Sequence, residues 1–195
     1  MRHGPIGFAA LALVFTLVGQ TRADNIVING GFETGNFAGW DVSGGFTVVD
    51  NTNHLGGFGP HGGEFYAALG TVGRMGSVSQ LLNTTPGQMY TLDFFLANDG
   101  DKPNRFKVIW DGSLVFDQKG IPRQDYTEYT FQVTASGALT KLSFMERNDP
   151  GYLSLDDVSV TPVVDNPEPG GLTLLALGGL GIVGYAGAKR ALRRR

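Results

Sequence analysis

From residue 24 to residue 162 the chain repeats one pattern, a short run of β-branched and aromatic residues followed by a cluster of turn formers. The runs fall at Val48 and Val49, then at 64–69, 76–82, 88–97, 105–110, 114–118, 126–134, 139–146 and 152–160. Between them stand Pro86-Gly87, Asn98-Asp99-Gly100-Asp101, Asp111-Gly112, Ser136-Gly137 and Asn148-Asp149-Pro150-Gly151, residues that close turns through a fixed or a permissive φ. Several runs alternate with a period of two. Phe106, Val108 and Trp110 take one side against Arg105, Lys107 and Ile109, and Tyr129, Phe131 and Val133 oppose Glu128, Thr130 and Gln132. No stretch here sustains a helical period. The pattern predicts an all-β fold, about nine strands in a two-sheet antiparallel sandwich.

The two ends break this pattern. Residues 1–23 open with Arg2, run apolar from Ile6 to Val18 and close on Thr21-Arg22-Ala23, the layout of a secretory signal peptide. After the sandwich domain at 24–162, a linker at 163–169 contains Pro167-Glu168-Pro169, followed by an uncharged apolar run at 170–188 and a basic end at 189–195. As a helix that run would reach roughly 27 Å, close to the ~30 Å of a bilayer's hydrocarbon core. The basic residues beyond it favour the cytoplasmic side, so the expectation is a single transmembrane helix with the sandwich outside.

Charge sharpens this reading. Of the 15 basic residues, Arg2, Arg22 and five from Lys189 onward belong to the ends, whereas all 18 acidic residues lie between Asp24 and Glu168. The exported stretch therefore holds eight basic against 18 acidic residues, a formal charge of −10. That excess argues against nucleic acid as a partner and suits cations and neutral glycans. The chain has no cysteine, which removes disulfides and thiolate chemistry together. His54 and His61 sit in loop sequence without the spacing of a zinc site. There is no nucleophile elbow, no His, Asp and Ser signature and no phosphate loop, so the expectation is a non-enzyme.

The tripartite end, Pro167-Glu168-Pro169, a Gly-rich span and a terminal Arg cluster, resembles the PEP-CTERM sorting signal of Gram-negative bacteria. That resemblance implies cleavage by an exosortase, a membrane transpeptidase, and passage to the cell surface or extracellular matrix. An ordinary tail anchor is the alternative. Two further stretches bracket the domain: Asn25-Ile26-Val27-Ile28-Asn29-Gly30-Gly31-Phe32-Glu33, continuing to Phe37 and Gly39-Trp40, and a closing strand with Asp156-Asp157-Val158. With Gly62-Gly63-Glu64-Phe65-Tyr66 between them, these resemble the galactose-binding-like jelly rolls. That group includes the carbohydrate-binding modules appended to xylanases and glucanases. The fold implied is a jelly roll.

In such a sandwich the first and last strands lie close together, so Glu33 meets an Asp of the closing strand. Two neighbouring carboxylates resist burial unless something cationic joins them, and calcium accepts carboxylates and backbone carbonyls. The resemblance implies a structural calcium on Glu33, on carbonyls at Gly30 or Gly31, and on Asp156, with a further ligand from the loop at 60–63. Alternatively both carboxylates accept turn or backbone hydrogen bonds without metal while Asp157 faces solvent. Trp40 and Trp110 read as core residues rather than sugar platforms. Candidate ligand contacts are Phe46, Phe58 and Tyr126, with Asn51, Asn53 and Asp99 as polar partners. Two functions from different classes result: a module that binds extracellular polysaccharide, or a structural, self-associating component of a biofilm matrix.

Overall fold

The computed structural model describes residues 24–164, and these form ten strands and no helix. The signal-peptide segment, the Pro167-Glu168-Pro169 motif, the apolar run at 170–188 and the basic end lie outside the described residues. Among the described residues no helix is long and apolar enough to cross a membrane.

The strands are β1 (Asp41–Ser43), β2 (Thr47–Asp50), β3 (Tyr66–Leu69), β4 (Gly76–Asn83), β5 (Met89–Asn98), β6 (Asn104–Trp110), β7 (Ser113–Lys119), β8 (Gln124–Thr134), β9 (Leu139–Asn148) and β10 (Leu153–Pro162). They make two five-stranded antiparallel sheets, in the orders β1-β4-β9-β6-β7 and β2-β3-β10-β5-β8. Each sheet turns one side inward, as the period of two requires. Phe106, Val108 and Trp110 of β6 are buried, and so are Leu92, Phe94 and Leu96 of β5. Trp40 and Trp110 are both core residues, their indole N–H groups donating to the Asn29 and Thr134 carbonyls at 3.1 and 2.9 Å.

The turns follow their residues. Trp110 pairs with Ser113 across Asp111 and Gly112, both at positive φ (48° and 79°), the geometry that lets a two-residue hairpin match strand twist. One strand escaped the periodicity reading. In β1, Asp41-Val42-Ser43, every residue is exposed, so this three-residue edge strand carries no burial alternation to read.

The N-terminal stretch is not a regular strand, but it does run along β10. Ile26 N–H donates to the Val160 carbonyl at 2.9 Å, the Asn25 side-chain oxygen accepts from Val160 N–H at 2.8 Å, and Val158 N–H donates to the Gly30 carbonyl at 3.0 Å. The two bracketing motifs therefore lie together.

Candidate functional site

The opening motif is a clamp. Asn29 and Phe32 adopt positive φ (54° and 57°), and the Asn29 side chain holds the following turn by donating to the Asn36 and Ala38 carbonyls and accepting from Thr34 N–H. This turns Phe32 into the core, where its ring lies 5.8 Å from both Phe37 and Trp40. Glu33, next in the chain, is left pointing outward. Gly30 is needed for close approach, because a Cβ there would stand 2.0 Å from the Val158 carbonyl oxygen.

At the other end of the motif pair, β10 carries a bulge. Its register with β5 shifts between Asp156 and Ser159, and Asp157 takes a positive φ of 49°. The bulge sends Asp156 and Asp157 toward the same loop. Fully buried Asp156 accepts from His61 N–H (2.8 Å) and Gly62 N–H (3.2 Å) on one oxygen, and from Asp157 N–H (2.8 Å) on the other. Burial, reinforced by the neighbouring Asp157 charge, pushes its pKa up to about 6 against the pull of those three N–H donors. Glu33 accepts from Glu64 N–H at 3.0 Å and Phe65 N–H at 3.2 Å. Asp157 meets His61 Nδ1 at 2.7 Å.

One loop, 61–65, thus wraps three acidic side chains contributed by the two ends of the domain. Gly62 and Gly63 make room for them: a Cβ would fall 2.6 Å from an Asp157 oxygen and 2.3 Å from the Glu33 carboxyl carbon, respectively. A Cβ on Gly31 would lie 3.4 Å from an Asp157 oxygen, 3.9 Å from an Asp156 oxygen and 3.6 Å from the Glu33 Cγ, so all three side chains border that glycine. Among the described residues no group of three or more His, Asp or Glu side chains is placed to hold a metal ion by itself. Any cation held here would also draw on backbone carbonyls.

Beside this cluster lies an aromatic one. His61 stacks on Phe95 with ring centroids 3.8 Å apart, Tyr126 sits 5.2 Å from His61 and 6.4 Å from Phe58, and the Arg123 guanidinium lies 4.9 Å over the Phe58 ring. The Tyr126 hydroxyl donates to the Gly59 carbonyl at 3.0 Å, and burial, followed by the Asp156 charge, raises its proton affinity well above that of an ordinary phenol. Of the proposed ligand contacts, then, Phe58 and Tyr126 come together. Phe46 stands apart, 67% exposed between β1 and β2. Asn51 and Asn53 are exposed in the loop before β3. Asp99 turns inward and braces loops, accepting from Asp101 N–H and the Asn148 side chain, both at 3.0 Å, and from Tyr152 N–H.

No protein-family model matches this chain. Solved structures do. A carbohydrate-binding module of family 61, solved in complex with β-1,4-galactotriose, superimposes with a TM-score of 0.58 at 20% identity, over 72% of this chain and 100% of the module. The xylan-binding module CBM22-1 of Paenibacillus barcinonensis Xyn10C gives 0.54 at 16% identity, over 76% of this chain and 100% of that one. A Clostridium thermocellum xylanase segment containing a CBM22-1 module gives 0.52 at 18% identity, over 74% of this chain and 30% of that one. These likenesses establish the fold. The domain has the jelly-roll sandwich fold that these modules share. In sequence, 127 residues are 27% identical to a multifunctional-autoprocessing repeats-in-toxin protein of Vibrio vulnificus. The match takes in 64% of this chain but spans 2% of that protein's length.

His61 and Asp157 are the members of the site that the sequence reading did not bring together. Their contact joins residues 96 positions apart. The signal available for it was Gly62-Gly63, a pair of small residues just ahead of β3 that lets carboxylates approach the loop backbone closely.

Proposed function

We propose that this chain is an exported, exosortase-processed surface or matrix protein whose non-catalytic jelly roll binds extracellular polysaccharide. What supports the reading is that the sandwich corresponds to a whole binding module and nothing larger: the family-61 and Paenibacillus modules are matched along their full length. The PEP-CTERM end supplies the sorting part of the proposal, with the apolar run at 170–188 anchoring the chain until cleavage near Pro167-Glu168-Pro169. The test is affinity electrophoresis of the full chain in mild detergent through gels containing galactan or xylan. Retention on at least one polysaccharide is expected, weakened in Phe58→Ala. Unretarded migration in every gel, with concentration-dependent assembly instead, overturns the reading in favour of a structural matrix protein.

Calcium belongs to the same proposal. The site's donors are carboxylate and carbonyl oxygens, which suit a hard cation, and Asp156 is a buried carboxylate beside a second carboxylate, with no Lys or Arg ion pair among the described residues. Glu33 and Asp156, with Asp157 bordering the same glycine and carbonyls near Gly30 and Gly31, are the residues that would hold it. The ion would supply counter-charge that ties the chain's opening to its closing strand. A chelator is expected to lower the melting temperature of the wild-type chain, and Glu33→Ala is expected to abolish the difference. Equal melting with calcium and with chelator sinks the assignment.

A further inference from the structure

The domain's acidic balance hides a basic groove on the opposite sheet. Register places Arg147 of β9 directly across from Arg105 of β6, and Arg105 directly across from Lys119 of β7. Three like charges in one cross-strand row destabilise a sheet unless something neutralises them. Arg74, from the connection entering β4, joins the row, and with Met75, Pro103 and Asn104 these residues line a groove of about 350 Å³. Among the described residues no acidic one lines it.

Two of the four cations are braced. Asp117 accepts from Arg105 Nε at 2.7 Å and from its Nη2, and also lies 3.8 Å from Lys107. Asp149 accepts from Arg147 Nε at 2.7 Å and from its Nη2, and is itself held by Gly73 N–H at 2.9 Å. These contacts fix the guanidinium heads before any ligand arrives. Arg74 and Lys119, both exposed, have no carboxylate partner among the described residues. The Asn104 side chain is committed to the Asp101 and Ile121 backbone and forms a rigid floor.

We infer that this groove binds a carboxylate-bearing sugar, the terminal or internal uronate of an acidic polysaccharide. Four cations around a small cavity, with Arg74 and Lys119 free of carboxylate partners among the described residues, call for an anion, and the uncommitted Arg74 guanidinium offers the planar fork that matches a carboxylate. Met75 and Pro103 offer the apolar wall that a sugar ring's C–H face needs. The volume is at the low end for small-molecule sites, about 300–1,000 Å³, which fits a short oligosaccharide. A nucleic acid is disfavoured, because beyond the groove a long polyanion meets a domain with a formal charge of −10 over 24–168. The inference rests on the polysaccharide-binding reading and names its ligand class.

The experiment titrates the full chain, in mild detergent and low salt, with trigalacturonate, neutral galactotriose and a sulfated galactose oligomer. Trigalacturonate is expected to bind most tightly, to weaken with added salt, and to lose about tenfold in affinity in Arg74→Ser/Lys119→Ser. Neither side chain makes a hydrogen bond to the fold, so the variant is expected to melt with the wild type, which the same samples check. Binding of galactotriose without trigalacturonate overturns the groove and leaves the polysaccharide reading standing. Absence of binding to any sugar, acidic or neutral, overturns both. Equal affinity for the sulfated oligomer overturns the carboxylate assignment, and unchanged affinity in the double variant overturns the location.

Discussion

Replacing Phe94 by alanine is expected to cost about 3–5 kcal/mol of unfolding free energy, read as a lowered denaturant midpoint at unchanged slope. Phe94 is fully buried at the middle of β5, and its ring touches rings from both sheets. It stacks on Tyr129 at 5.3 Å and on Phe131 at 6.1 Å within its own sheet, and meets Phe144 at 5.3 Å and Phe106 at 5.7 Å across the core. Truncation leaves a cavity walled by four aromatic rings, which are stiff and collapse poorly. A domain of this size is stable by only about 5–15 kcal/mol, so one ring carries a large share of the margin. Phe46 is the control. It is 67% exposed and makes no ring contact, and Phe46→Ala is expected to stay within about 0.5 kcal/mol of wild type. Equal losses from the two substitutions would mean that the inter-sheet aromatic cluster is not what holds the sandwich shut.

Phe94 also shows why the fold was legible. Where a strand has one face in the core, as β5, β6 and β9 do, burial leaves a period of two in the sequence, and the turns leave glycine, proline and asparagine. Where a strand buries nothing, as in Asp41–Ser43, the record is blank. The bracketing motifs were legible for a related reason. Gly30, Phe32, Phe37 and Trp40 each solve a local packing problem, a close approach or a large ring packed in or against the core, that few residue types can solve. Contacts that depend on register left no such trace. Arg74, Arg105, Lys119 and Arg147 come from four separate segments and meet only because β6 is flanked by β9 and β7. Summed charge hid them further, since the domain's acids outnumber its bases. Glu146 is similar: it shares the inward parity of Leu142 and Phe144 and is fully buried, its carboxylate receiving Thr71 N–H at 3.1 Å and the Thr71 and Thr47 hydroxyls. Pattern alone reads it as the polar end of a strand.

Two adjacent glycines separate the structural part of the carboxylate site from its ion-binding part. Gly30→Ala is expected to lower the melting temperature by several degrees, a loss of about 1–3 kcal/mol or more. Its new methyl would sit 2.0 Å from the Val158 carbonyl oxygen and 3.0 Å from the carbonyl carbon. Backbone cannot swing aside as a side chain can, and the same residue's carbonyl accepts from Val158 N–H at 3.0 Å, so relief of the clash breaks the clasp between opening segment and β10. Gly31→Ala meets only ordinary contacts, 3.4 Å or longer, and its φ lies outside the left-handed region, so its calcium-free melting temperature is expected to match that of chelated wild type. Yet that methyl stands beside an oxygen of Asp156, an oxygen of Asp157 and the Glu33 stem, and a cation held among these side chains would be displaced. Gly31→Ala is therefore expected to lose the calcium-dependent part of the wild-type melting temperature. A Gly31→Ala chain that still gains stability from calcium as the wild type does would place the ion elsewhere, and a Gly30→Ala chain as stable as wild type would mean that the opening segment does not press against β10.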